Sequence, residues 1–248
     1  MTTKREEKEE YALKLEQTKK ELDSTKKELK NFAYIISHDL KAPLRAISQL
    51  SDWIYKDYAD TFDKNGKEMM ELLNNRVRRM EGLIDGVLQY SRAGRTFDKI
   101  EKVNLDAVVR EVVQKLSPPE NIKVTIKGSF PTVNAESNKI KQLFENLISN
   151  SINFMDKEKG EIKVECDEEE LHWKFSISDN GPGIDPKFHE KVFKVFQTLQ
   201  SKDVVETTGI GLPVAKKIVE HMEGQIGINS SPGEGCTVYF TLPKEAKK

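Results

Sequence analysis

Cysteine is nearly absent: the chain has 2 among 248 residues, Cys166 and Cys236, 70 positions apart. No CxxC occurs, which argues against a disulfide framework and a cysteine-rich zinc site. No run approaches the ~20 consecutive apolar residues of a membrane-spanning helix, and the opening MTTKREEKEEY lacks the apolar stretch of a signal peptide. An excess of one charge sign is missing too. Lys+Arg 40 and Asp+Glu 41 leave a formal net charge of −1, without the basic surplus that phosphate contacts to nucleic acid need. The expectation is a soluble, cytoplasmic protein with no nucleic-acid partner and no membrane span. What is abundant is charge itself, 33% of residues, with mean hydropathy −0.61. The 37% hydrophobic residues still suffice for one ordinary core or two small ones.

Much of the charge sits at the N-terminus. Residues 1–30 are mostly Lys, Glu, Thr and Gln, with neither Gly nor Pro. Such tracts are often disordered, yet Leu15, Leu22, Leu29 and Ile36 recur at a seven-residue step. Tyr11, Thr18, Thr25 and Phe32 add a weaker row, giving the spacing of a coiled-coil seam. Phe32, Ile36, Leu40, Leu44, Ile47, Ser51 and Ile54 then continue the stripe, with Pro43 expected to kink it. A helix over about residues 10–58 would run ~70 Å. Asp60, Asp63, Asn65 and Gly66 supply turn chemistry. A second amphipathic helix carries Met69, Leu73, Met80, Leu83, Val87 and Tyr90 and ends near Gly94. One hairpin cannot cover both its apolar faces, so the pattern predicts a dimeric four-helix bundle.

After residue 102 the elements are short and alternate. Expected strands are Lys123–Lys127, Glu161–Asp167, Trp173–Ser178, Gln225–Asn229 and Thr237–Leu242. Expected helices are Leu105–Lys115, Asn138–Phe154, Pro186–Val192 and Ile210–Met222. This reads as an α+β sandwich around a mixed sheet.

Four segments carry chemistry. In Ser37-His38-Asp39-Leu40-Lys41-Ala42-Pro43-Leu44, His38 lies roughly 200° around the helix from Ile36 and so points to solvent. Alone it is a bland surface histidine. With Asp39 accepting the Nδ1 proton, Nε2 becomes a free nucleophile. Asn146 and Asn150 share a helix face, and carboxamide oxygens there suit a hard divalent cation, or are simply surface asparagines. Asp179-Asn180-Gly181-Pro182-Gly183-Ile184 follows a strand. It is either a good turn or a cradle in which an aspartate accepts from an exocyclic amine. Thr207-Thr208-Gly209-Ile210-Gly211-Leu212 opens a helix and presents backbone N–H groups to phosphate, without the ending of a P-loop.

In order and spacing these segments resemble the sensor histidine kinases of two-component signalling, over roughly residues 10–243. Phe32–Ile47 looks like the H box, Gln142–Phe154 the N box and Asp179–Ile184 the G1 box. Val192–Phe196 resembles the F box and Thr208–Leu212 the G2 box; Glu223–Ile226 and Gly235–Pro243 follow the family's tail. The resemblance implies a coiled-coil linker (1–30), a dimerisation and phosphotransfer hairpin (31–93), a linker (94–102) and a Bergerat-type ATP-binding domain (103–244), leaving 245–248 as a tail. It implies His38 as phosphoacceptor with Asp39 as acid/base partner. Asn150 would hold Mg²⁺ with Asn146 nearby, and Asp179 would receive the adenine amino group of ATP. Gly181 and Gly183 would shape the pocket, Thr208, Gly209, Ile210, Gly211 and Leu212 the lid, and Thr237 would help at the adenine. Asn146 stands where water-using ATPases of this superfamily carry a glutamate, which suits transfer to His38. Implied partners are a second copy, a response-regulator receiver domain and an upstream sensor domain, with no sensor domain recognisable before residue 10 and no receiver domain after residue 243.

Several positions depart from the family. Asn153 replaces a usual Lys or Arg, Thr198 a frequent arginine, Thr207 a first glycine and Pro213 a common alanine. Two missing cations would weaken nucleotide binding by about 1–3 kcal/mol each if desolvated, with Lys202 a candidate to compensate. Ala42 cannot orient a water, so little phosphatase activity is expected. The alternatives to an active kinase are a weakened kinase kept as a dimeric scaffold or relay, and an ATPase of chaperone or mismatch-repair type.

Overall fold

A computed structural model describes residues 3–94, 99–199 and 207–244. Helix α1 (Thr3–Tyr58) runs unbroken through Pro43, and α2 (Lys64–Ala93) returns beside it. The turn is shorter than expected. Asp63 caps α2 by accepting the Gly66 N–H at 2.7 Å, so Asn65 and Gly66 already belong to the helix's first turn. Ser37, Leu44, Ser51 and Val77 are buried within the hairpin, whereas Gly86 is buried against Ile210 and Ala93 joins the core of the second unit. Met69, Leu73 and Met80 instead stay exposed, as do Phe32, Ile36, Leu40, Ile47 and Ile54. Thr18 and Thr25 donate their hydroxyls to the Lys14 and Glu21 carbonyls at 2.9 Å, so the polar seam positions are satisfied within their own helix. The Leu29 side chain lies outside the described residues.

The second unit begins with β1 (Glu101–Asn104), which pairs with β3 (Thr132–Ala135) in a small antiparallel sheet. Sequence reading misses both, because four-residue strands with one or two apolar positions carry almost no periodicity. The main sheet has the order β2-β4-β5-β7-β6. Its members are β2 (Ile122–Lys127), β4 (Gly160–Glu168), β5 (His172–Asp179), β6 (Ile226–Ser230) and β7 (Cys236–Pro243), with only β2–β4 parallel. Helices α3 (Leu105–Leu116), α4 (Ser137–Asn153) and α5 (Gly211–His221) complete the domain. The segment expected as a helix over Pro186–Val192 is two 3-10 turns, Pro186–Phe188 and Lys191–Phe193. Its polar sequence offers no continuous apolar face to bury, and the Asp185 side chain caps the first turn at Lys187 N–H, 3.0 Å.

The sheet buries alternate residues: Ile162 and Val164 on β4, Phe175 and Ile177 on β5, Val238, Phe240 and Leu242 on β7. Phe144 of α4 meets Phe175 and Phe240 edge-on at 6.0 and 5.6 Å, while those two stack at 4.8 Å. This aromatic knot fixes α4 over β5, which sets where the asparagines of α4 stand relative to Asp179. At the other end of α4, buried Glu136 pairs with Lys139 at 3.3 Å and with His221 of α5 at 3.5 Å. No described helix is long and apolar enough to cross a membrane.

Candidate active site

The C-terminal half of α4 walls a cavity of about 380 Å³. Asn146, Asn150 and Asn153 face it, joined by Asp179, Gly183, Ile184, Gln197–Leu199, Thr207–Leu212 and Cys236. Among the sequence-predicted residues, Asn146, Asn150, Asp179, Gly183 and all of Thr208–Leu212 therefore come together. Gly181 and Thr237 do not line the cavity. Gly181 acts one step back, donating its N–H to Asp179 Oδ1 at 3.0 Å. Thr237 spends its hydroxyl on Ser178 Oγ at 2.9 Å. Sequence spacing cannot distinguish a wall residue from the one behind it.

Asp179 ends β5 and is held by three donors: the Gly181 and Cys236 N–H groups on Oδ1, and the Ser151 hydroxyl on Oδ2 at 2.8 Å. Burial pushes its carboxyl above the usual range against the pull of these hydrogen bonds. The neighbouring loop is held by a hydrogen-bond relay. Ile184 N–H donates to Ser230 Oγ at 2.8 Å, which donates to the Gly235 carbonyl at 2.7 Å. Gly183 has φ +70°, and a Cβ there would collide with the Ser231 carbonyl, so only glycine lets this loop close. Cys236 is buried and its thiol is pushed up to about 12, so it is part of the wall and not a nucleophile.

On the opposite side, Gly209 (φ +66°) packs against Gln197, where a Cβ would stand 2.6 Å from the carbonyl oxygen. This turn delivers the N-terminus of α5 to the cavity without a side-chain cap. The first N–H groups of such a helix have no partner within it and suit an anionic acceptor, except at Pro213, which has no N–H. The Asn146 Nδ2 is buried without a hydrogen-bond partner. Acceptor, carboxamides and helix N-terminus together fit an adenine nucleotide with a hard cation. Asn153, Thr198 and Thr207 bring no cation to the wall, and Lys202 lies outside the described residues.

His38 stands on α1 with its side chain 75% exposed, Nδ1 3.1 Å from Asp39 Oδ1. It borders a cleft of about 400 Å³ with Tyr34, Lys41, Arg45, Asp85, Leu88, Gln89 and Arg92. Asp85, ion-paired to Lys41, lines the nucleotide cavity as well, as does Gln89. Thus α2 is a wall common to both hollows. Sequence reading misses this contribution of Gly82, Asp85, Gly86 and Gln89. The available signal is the Gly82/Gly86 pair, which places two side-chain-free positions on one face of an amphipathic helix. Ile210 seats against Gly86 and Thr208 against Gly82.

Residues 28–96 match the His Kinase A (phospho-acceptor) domain, and residues 135–246 the histidine kinase-, DNA gyrase B- and HSP90-like ATPase. The chain is 36% identical over 234 residues to phytochrome-like protein Cph1 of Synechocystis, covering 94% of this chain and 31% of the relative. Cyanobacterial phytochrome B of Nostoc is 39% identical, with 90% and 30% covered. The chain thus spans about a third of the length of these curated relatives. Among solved structures, full-length ShkA in complex with AMPPNP superposes at TM-score 0.65 and 20% identity, covering 87% of this chain and 46% of that one. Histidine kinase ThkA in complex with the response regulator TrrA superposes at 0.59 and 22% identity, covering 86% and 62%. A phospho-acceptor domain followed by a histidine kinase-like ATPase domain on one chain is the domain pair of the sensor histidine kinases.

Proposed function

We propose that this chain is the kinase core of a two-component system, phosphorylating His38 from ATP and passing the phosphoryl group to a response-regulator aspartate. The observation that carries this reading is the shared wall. Asp85 and Gln89 border both the His38 cleft and the nucleotide cavity, so acceptor and donor sites meet across one helix. ATP supplies the γ-phosphoryl group, and Asn150, with Asn146 nearby, would hold a Mg²⁺ ion that offsets its charge. Asp39 holds the Nδ1 proton of His38 and leaves the Nε2 lone pair free; the new N–P bond forms there as the bond to the ADP oxygen breaks. Asp179 takes the adenine amino group. Asn146 carries a carboxamide and cannot take a proton from water, which favours transfer over hydrolysis.

The working unit is a homodimer. Exposed Phe32, Ile36, Leu40, Ile47 and Ile54 on α1, with Met69, Leu73 and Met80 on α2, supply the apolar surface a four-helix bundle would cover. The N-terminal part of α1 continues it as a coiled coil toward an upstream sensor domain, in a cytoplasmic setting. Ala42, one turn beyond His38, offers no group to orient a water, so regulator dephosphorylation by this chain is slow.

Incubation with γ-labelled ATP and Mg²⁺ tests the reading. Acid-labile, base-stable label is expected on the protein and is lost in His38→Gln. Free phosphate without protein label would point to an ATPase. Nucleotide binding without label would point to a weakened kinase serving as scaffold or relay, a reading favoured by the neutral Asn153, Thr198 and Thr207 on the cavity wall.

A further inference from the structure

Ser149 and Ser151 lie two residues apart on α4 and use their hydroxyls differently. Ser149 turns back on its own helix, donating to the Asn146 carbonyl at 3.4 Å. Ser151, only 5% exposed, reaches across to Asp179 Oδ2 at 2.8 Å. Mid-helix serines commonly bond the preceding turn or face solvent; this one serves a carboxylate on another element. Asp179 lines the cavity, and Ser151 stands behind it.

A carboxylate has about four acceptor positions. Oδ1 takes the Gly181 N–H at 3.0 Å and the Cys236 N–H at 3.2 Å, and Oδ2 takes Ser151. The position left over is on Oδ2, and it is the one available to a ligand. As an acceptor it takes an N–H and repels a carbonyl oxygen. A protonated carboxyl would do the reverse. Burial, and to a smaller extent the charge of Asp156, favour the protonated form, and the hydrogen bonds from Ser151, Gly181 and Cys236 oppose it. Among the described residues no other charge enters the balance. The Cys236 thiol is held at about 12 and stays neutral, and the α4 residues on the wall are three asparagines and Ser149, which carry no charge.

We propose that Ser151 is a positioning residue for base recognition: it keeps Asp179 an acceptor and leaves one lone pair for the 6-amino group of a purine, excluding 6-oxo purines. This rests on the reading of Asp179 as the base-recognition residue.

Calorimetric titration with Mg²⁺-ADP and Mg²⁺-IDP, whose base carries a carbonyl at position 6, tests it from about pH 6 to about pH 8. In Ser151→Ala the ADP affinity is expected to fall at least one pH unit earlier on acidification than in the unaltered protein. The ADP-over-IDP preference should narrow about tenfold at the acid end. Ser151→Thr, which keeps the hydroxyl, should follow the unaltered profile. Phosphate protonation of the ligand is common to all variants and cancels. If Ser151→Ala does not fold, Ser151→Cys, a weak donor of similar size, is read in the same way. Profiles that superimpose, or an affinity loss equal at every pH, would overturn the proposal. Asp179→Asn binding ADP as tightly as the unaltered protein would instead overturn the underlying reading, whatever Ser151 does.

Discussion

Lys217 of α5 reaches across to α2, its Nζ donating to the Tyr90 carbonyl at 2.9 Å and standing 4.1 Å from the centre of the Tyr90 ring. One side chain thereby ties the catalytic domain to the hairpin through a hydrogen bond and a cation–π contact. Such a contact is worth about 0.5–1 kcal/mol at an exposed site. Lys217→Met keeps the stem and removes both interactions. Spin-label distances between α2 and α5 should broaden, while the melting of the catalytic domain stays unchanged. An unaltered distance distribution would show that Lys217 does not hold the two units together.

Gly86 has a stronger influence on the same interface. A Cβ there would collide with Ile210 Cδ1, whereas one at Gly82 would stand 3.0 Å from the Thr208 methyl. Gly86→Ala should displace the catalytic domain from α2, even though alanine favours the helix itself by about 0.5–1 kcal/mol. Small-angle scattering is the check: the radius of gyration rises while helicity is held or increased. A substitution that leaves the envelope unchanged would mean that Ile210 simply re-packs.

Asp179→Asn separates recognition from folding. An amide can keep its oxygen toward the Gly181 and Cys236 N–H groups and donate to Ser151, so the loop should survive while nucleotide binding is lost. The sign of the pH effect follows from burial, which raises the Asp179 carboxyl above its ordinary value. The folded, ligand-free domain therefore binds this proton more readily than the unfolded chain does. This contribution is fully present below the unfolded-state pKa and fades as pH rises through the folded-state pKa. Asp179→Asn should remove that part of the pH dependence in thermal melts between acid and neutral conditions. An unchanged profile would assign it to another group.

Restoring positive charge to the nucleotide cavity should tighten binding. Asn153 and Thr198 both line it, at positions where the family resemblance predicts Lys or Arg. Asn153→Lys and Thr198→Arg are each expected to strengthen Mg²⁺-ADP binding by about 1–3 kcal/mol if the new hydrogen bond to phosphate is desolvated. Calorimetry distinguishes this from a mere gain in net charge, because the arginine effect should persist at high salt. No gain at either position would leave the neutral wall without consequence for affinity.

Much of the fold is legible in the sequence, since its long elements carry strong periodicity. The seven-residue step through Leu15 and Leu22 and the stripe through Leu40 and Leu44 predict α1, and alternation around Phe175 and Phe240 predicts β5 and β7. What escapes is short or polar. The four residues of β1 and of β3 are defined by pairing with each other, and the polar run after Pro186 breaks into two 3-10 turns. The site is legible to the same degree. Asn146, Asn150, Asp179 and Thr208–Leu212 converge, whereas Gly181 and Thr237 stand behind the wall because their donors are already engaged.

The scarcity of cysteine and the lack of a long apolar run bound this protein by composition alone. Local pattern then gives the helices, the strands and the order of the chemical segments, because periodicity and turn residues act over a few positions. Only the tertiary structure decides that α2 walls both the His38 cleft and the nucleotide cavity, and that Ser151 serves Asp179. Those relationships join residues 28 positions apart in one case and separate domains in the other. They depend on how α4 is seated over β5 and α5 against α2, a matter of packing between elements that no sequence spacing encodes.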